Sequence, residues 1–255
     1  MQYLSSPAIV LRIIEHGDND KILTFFTLRQ GRISLIAKGA QKSVKRFAGV
    51  LELFSALNLV WSCGRSRGLP VLQEVSVIHP FDKIRTNINR TIYASCWCEL
   101  VYRWMEDGQK QVAVYRLLEH LIGQLDSGTL PEELLHITFQ LHFMAINGFG
   151  PGFECCTKCR MPTDQIKSSL IAFNVRKGGV LCGQCGPCKP GHICLSKGTV
   201  KLLSWVLNTP LARLGRIRFS KQSIEESFNM LEAFVPHHLG KETRSSKLLR
   251  QLQAR

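Results

Sequence analysis

At His79-Pro80 the hydrophobic period of the chain changes, and that switch restricts its fold more than any other feature. Before it, runs of β-branched, aromatic and aliphatic residues occupy positions 8–14, 22–28, 32–38, 54–62 and 71–78. Breakers separate them, among them His16-Gly17-Asp18-Asn19-Asp20 and Gln30-Gly31. Ile33, Leu35 and Ala37 alternate with Arg32, Ser34 and Lys38, and Leu57, Leu59 and Trp61 alternate with Asn58 and Ser62. That is the pattern of strands buried on one face. Five short strands leave raw edges unless the sheet closes on itself, so a small barrel of the OB type is expected over residues 1–80.

After the switch, Ile84, Ile88, Ile92, Trp97, Leu100, Val101 and Trp104 fall at helical spacing and predict a helix over 82–106. Val114, Leu117, Leu118, Leu121 and Leu125 predict a second, over 112–125. A third runs from Pro131 to about Asn147, where Gly148 stops it. The polar joints Asp107-Gly108 and Asp126-Ser127-Gly128 are short, which implies antiparallel neighbours. Ser196 is placed to cap a helix reaching about Leu207, another runs from about Ser220 until Pro236 ends it, and a basic one covers 245–252. The fold class is therefore α+β and multidomain: an N-terminal OB-fold β-barrel over 1–80, then an all-α domain over 81–255 interrupted by an insert at 152–196.

That insert holds seven of the ten cysteines. Cys156-Thr157-Lys158-Cys159 and Cys182-Gly183-Gln184-Cys185 are two C-x2-C steps, each of which turns two thiolates toward one point. Together they supply the closed tetrahedral shell of one structural Zn2+, with Lys177-Gly178-Gly179 giving the chain reversal ahead of the second pair. Cys155 adjoins Cys156, while Cys188, His192 and Cys194 lie near enough in sequence to offer a different ligand set or a second site. Cys63, Cys96 and Cys98 stand alone and read as buried small hydrophobes. No apolar run approaches the roughly 20 residues of a membrane span. The start of the chain shows no basic segment followed by an apolar one, so a reducing cytoplasmic setting is expected, where clustered cysteines hold metal rather than disulfides.

A net charge of +14 calls for a polyanionic partner, and its distribution is uneven. Residues 1–80 carry 10 Lys/Arg against 5 Asp/Glu and residues 197–255 carry 11 against 4, whereas 81–151 carry 6 against 8. The loop from Lys38 to Arg46 concentrates the barrel's charge in Lys38, Lys42, Lys45 and Arg46, with Arg29, Arg32, Arg65 and Arg67 expected on the same rim. Such a rim suits contact with phosphates of nucleic acid irrespective of sequence. Phe25, Phe26, Phe54 and Trp61 are expected in the core, and Phe47, beside Arg46, is the one aromatic placed to be exposed for stacking.

Catalysis has little to stand on. His237-His238 follows Pro236 with no acidic partner at useful spacing, and His136 and His142 do not share a helical face. Glu132-Glu133 offsets a helix dipole, and no Walker A sequence is present. A zinc ion held by four cysteines has no open position for water. No enzymatic activity is expected.

These blocks resemble one known family across nearly the whole chain. Ala8-Ile9-Val10-Leu11-Arg12, Leu23-Thr24-Phe25-Phe26-Thr27, Ala37-Lys38-Gly39-Ala40 with Ser43, Gly148 and Pro151 before the first cysteine pair, Phe173, Gly178-Gly179 and His238-Leu239-Gly240-Lys241 with Ser246-Lys247 are similar, in order and spacing, to bacterial RecO, the recombination mediator of the RecF repair pathway, in its zinc-containing branch. Gln41 departs from the pattern, standing where that family often has another basic residue. The resemblance implies binding of single- and double-stranded DNA, annealing of complementary strands and, with RecR, loading of RecA onto DNA coated by single-strand binding protein, whose C-terminal tail is a further partner. It implies DNA contacts at Lys38, Lys42, Lys45 and Arg46, and a place at the nucleoid. The alternative carried with it is a zinc-ribbon, OB-type RNA-binding or transcription-associated protein, since the same surface serves RNA.

Overall fold

A computed structural model describes residues 2–43, 46–47, 49–63, 68–240 and 242–253. Its first strands are β1 (Gln2–His16), β2 (Asp20–Thr27), β3 (Gly31–Ala37), β4 (Ala56–Cys63) and β5 (Val71–His79). They close into a barrel in the order β1-β2-β3-β5-β4, the five-stranded barrel of the OB type. β1 begins six residues before the expected strand, because its first half pairs with β4 and its second with β2. A register shift between Val10 and Arg12 bends it from one partner to the other. Val10, Leu23, Phe25, Leu35, Ala37, Leu57, Leu59 and Trp61 fill the interior, as their alternation requires.

Phe47 is a correction to the expected stacking surface. It is 3% exposed and closes the barrel core with Ala40 and Leu51. The guanidinium of Arg46 lies 4.7 Å from its ring centroid, so the basic neighbour covers the ring instead of advertising it.

The helices are α1 (Asp82–Arg85), α2 (Ile88–Trp104), α3 (Val112–Ser127), α4 (Glu132–Ile146), α5 (Lys197–Asn208), α6 (Lys221–Leu239) and α7 (Arg244–Gln253). The single helix expected over 82–106 is two, because Asn87 adopts an extended conformation and its side chain accepts the amide of Arg90, starting α2 afresh. Pro236 does not end α6, contrary to expectation. It lies in the last turn, close to the helix end, and Gly240, at φ 78°, donates its N–H to the Pro236 carbonyl to close the helix. Ser196 caps α5 as expected, accepting the amide of Thr199.

A second sheet in the cysteine-rich insert escaped the sequence pattern, its strands being too short to alternate. It comprises β6 (Leu170–Asn174), β7 (Gly179–Leu181) and β8 (Cys194–Ser196), in the order β7-β6-β8. By packing, the chain forms two compact units, residues 1–129 with 243–255 and residues 130–242. Helices α1–α3 and α7 thus belong with the barrel, and α4–α6 with the cysteine-rich sheet. No helix among the described residues is long and apolar enough to cross a membrane.

Candidate metal centre and basic surfaces

The metal candidate is built by two hairpin turns laid side by side. Gly178, at φ 63°, makes the turn from β6 to β7, and the Asn174 side chain accepts the amide of Lys177 within it. Gly179 is needed for a different reason: a Cβ there would come within 2.5 Å of Thr157 Cγ2 and 2.9 Å of the Gly152 carbonyl. That close approach lets residues 152–157 run against β7, with Gly152 N–H on Gly178 O at 2.7 Å and Thr157 N–H on Val180 O at 2.9 Å. Each knuckle then closes on itself, Arg160 N–H donating to Cys156 O at 2.9 Å and Cys185 N–H to Cys182 O at 3.0 Å.

The outcome is that Cys156, Cys159, Cys182 and Cys185 bring their sulfurs within 4.8 Å of one another. Four sulfurs on a shell of metal–sulfur bonds stand about 3.8 Å apart; Cys159 Sγ and Cys182 Sγ are 3.6 Å apart. Burial would raise the Cys156 thiol, but hydrogen bonds from the backbone of Cys159, Cys182 and Lys158 outweigh it and bring it down to about 6. Backbone donation from Cys185 likewise lowers Cys182. Amides aimed at sulfur stabilise thiolate, the form that binds metal. Cys185 is pushed up to about 12, chiefly by its hydrogen bond with Cys182, since a cluster of four sulfurs without a cation retains protons. The donor set and spacing fit one metal ion held by four thiolates.

The remaining cysteines sort themselves. Cys155 sits outside the cluster in an isolated bridge with Pro162, and Cys188 and Cys194 are bonded to each other. His192 directs Nδ1 to the Pro187 carbonyl at 3.3 Å. Cys96 and Cys98 are buried as expected, and desolvation pushes the Cys96 thiol up to about 12 and raises Cys98 also, whereas Cys63 is half-buried.

Among the described residues, the basic side chains of the barrel do not share one rim. Lys38 directly follows β3 and Arg32 stands at its start, so a seven-residue strand, about 20 Å, separates them. At the Lys38 end, Gly39 N–H donates to Asp20 Oδ1 at 2.7 Å and Gln41 Nε2 to Asp20 O at 3.0 Å. Gln41 therefore braces the loop on the β1–β2 turn, leaving Lys38 and Lys42 exposed. Arg46 donates to the carbonyls of Leu72 and Gln73. At the other end Arg29 is exposed with Nη1 on Ser5 O at 3.2 Å, and Arg32 is held by Asp107, at 2.6 Å, and by the Tyr102 carbonyl. Lys45, Arg65 and Arg67 lie outside the described residues.

A second basic surface was not legible in sequence. Arg12, Arg103 and Arg244 border a groove of about 620 Å³ whose floor includes Leu11, Leu53 and Phe54. It arises because α7 packs on α2, where the Glu99 carboxylate accepts the amides of Arg244 and Ser245 at 3.1 and 2.9 Å. Three arginines at positions 12, 103 and 244 give no local signal; a helix returning to the barrel's unit brings them together.

The histidines are structural in their contacts. His136 is buried, stacks on Phe228 and is pushed down to about 3 by desolvation, so it stays neutral. His237 and His238 lie inside the last turn of α6, with His238 Nε2 3.1 Å from Val175 O.

Comparison with known proteins follows the same division. The family models described as recombination protein O N terminal and C terminal match residues 1–81 and 85–247. Proteins named DNA repair protein RecO are similar over essentially their full lengths. That of Desulfatibacillum aliphaticivorans is 38% identical over 100% of this chain and 99% of its own. That of Desulfosudis oleivorans is 38% identical over 99% of each. The Syntrophus aciditrophicus protein is 33% identical over 96% of this chain and 94% of its own. The boundary between the two models falls at the joint where strands give way to helices, and the four clustered cysteines lie inside the second: the chain belongs to the recombination protein O family.

Proposed function

We propose that the protein is a non-catalytic mediator of DNA repair and recombination, which binds single- and double-stranded DNA and anneals complementary strands. The observation that carries this reading is family membership along the whole chain. Charge supports it. The unit of residues 1–129 and 243–255 holds 20 Lys/Arg against 11 Asp/Glu, and the other unit 13 against 8. The first unit is thus +9: it holds all of the basic N-terminal segment and, from the C-terminal one, residues 243–255. Exposed Lys38 and Lys42 supply contacts at one end of the barrel, and Arg12, Arg103 and Arg244 supply a second set. Phosphate neutralisation at two places allows two strands to be held without any bond being broken.

The ion proposed for the four-cysteine cluster is zinc, which favours a closed tetrahedral thiolate shell and supplies no redox chemistry there. Its role is to hold the two knuckles together beside the small apolar cluster of Phe153, Ile171, Phe173, Val180 and Leu195 that packs the sheet. The partners proposed are RecR, the tail of single-strand binding protein and, through them, RecA, in the cytoplasm at the nucleoid.

The test is a salt titration of binding to a single-stranded oligonucleotide, with matched RNA as competitor, for the protein and its Lys38→Ala/Lys42→Ala variant. Loss of two phosphate contacts should weaken binding by about tenfold and flatten the log–log salt slope by about 1.4. The unaltered protein should also anneal complementary strands coated by single-strand binding protein without added nucleotide. An unchanged slope would remove the loop from the interface; preference for RNA together with failure to anneal would remove the mediator reading.

A further inference from the structure

Of the seven cysteines in the insert, four converge on the metal site and one stands apart; the last two face each other. We propose that Cys188 and Cys194 form a reversible dithiol–disulfide site, oxidised by small disulfides of the glutathione class, that clamps the second metal knuckle to its sheet. The two are bonded, with Cα atoms 5.9 Å apart, a separation a disulfide spans without backbone movement. Cys188 follows the ligand Cys185 by three residues, and Cys194 opens β8 opposite Ala172 of β6. On its other edge Ala172 is opposite Leu181, the residue before Cys182. The bond therefore returns the far end of the second knuckle to the sheet from which the knuckle begins.

Both cysteines are half-buried, within reach of a small reagent, and the segment 189–192 between them is exposed. Neither is needed in the metal shell, so the pair can change state while the four ligands keep theirs. In the forward step one thiolate attacks a sulfur of the small disulfide and expels one small thiol. The second cysteine then displaces the other small thiol and closes the Cys188–Cys194 bond. The protein loses two electrons and two protons, and one small disulfide becomes two thiols. Reduction is the reverse, consuming two small thiols. The covalent ring spans residues 188–194 and holds no metal ligand, but it anchors Cys188 to β8 and so shortens the free loop that carries Cys182 and Cys185. Metal escape from the second knuckle is therefore slower in the oxidised form, on the order of tenfold by loop closure. This last effect rests on zinc occupying the four-cysteine cluster; the thiol exchange does not.

The experiment equilibrates the full chain, loaded with zinc, across ratios of oxidised to reduced glutathione, alkylates the free thiols, and maps them by peptide mass spectrometry. Metal content and the rate of zinc transfer to a colorimetric chelator are read on the same samples. Expected are joint oxidation of Cys188 and Cys194, unmodified ligand cysteines, and about tenfold slower transfer from the oxidised form. The Cys188→Ser/Cys194→Ser variant should retain zinc and be indifferent to the ratio. Independent alkylation of the two, pairing of either with Cys155 or a ligand, or a bond that no glutathione ratio opens would overturn the proposal, and equal transfer rates would overturn the clamp. Absence of metal from both forms would remove the zinc reading instead, with the alkylation map still deciding the pair.

Discussion

The barrel and the cysteine-rich insert are both small β structures, yet they are built on different proportions of apolar packing and thiol chemistry. The barrel's strands are seven to fifteen residues long and enclose Phe25, Leu59 and Trp61, each at most 2% exposed. Hydrophobic burial and a closed hydrogen-bond ladder hold it, and no ion is required. The insert has strands of three to five residues. Its two knuckles meet sulfur to sulfur, where a bare cluster of thiols repels itself on ionisation. What the difference teaches is that the barrel carries its stability in its apolar pattern, whereas the insert joins a smaller apolar cluster to four cysteines placed to share one metal ion.

The largest effect should come from the ligands. Cys182→Ser should abolish stoichiometric zinc binding and unfold the insert, a loss on the order of 10 kcal/mol of metal-linked stability. Hydrogen exchange resolved by peptide should report it over residues 152–196 while β1–β5 keep their protection; equal loss in both regions would erase the distinction. Phe25→Ala should act the other way, costing about 3–5 kcal/mol in denaturant unfolding of the barrel with zinc content unchanged. The smallest effect concerns α7. Burial would raise the Glu99 carboxyl, but hydrogen bonds from Ser245 and Arg244 and the charge of Arg103 hold it below its ordinary value of 4.5. A carboxylate lowered in the folded state contributes stability above its ordinary value and loses it as pH falls through the folded one. Protection of α7 should therefore fade below about pH 4.5, and Glu99→Gln should remove that dependence at a cost of about 1 kcal/mol at neutral pH.

Legibility followed the same divide. Strand alternation and helical spacing are local properties, so Leu35, Ala37, Leu57 and Trp61 announced the barrel and Leu117, Leu118 and Leu121 announced a helix that buries them. The two C-x2-C steps likewise announced a site because each is complete within four residues. Three-residue strands carry no period, and β7 and β8 went unseen. The separation of Arg32 from Lys38, and the joining of Arg12, Arg103 and Arg244, are set by register and by long-range packing. Phe47 was misplaced because its basic neighbour implied solvent, whereas a guanidinium also serves as a lid over an aromatic ring.

One consequence of α7 concerns the order of synthesis. The unit containing the barrel is begun at residue 1 but receives its last helix only after residues 130–242 have been made. Until then the face of α2 on which α7 packs is bare, and Glu99 lacks the amides of Arg244 and Ser245. A nascent chain halted anywhere before α7 would display an apolar scar on an otherwise finished unit, a mark by which incomplete copies differ from complete ones.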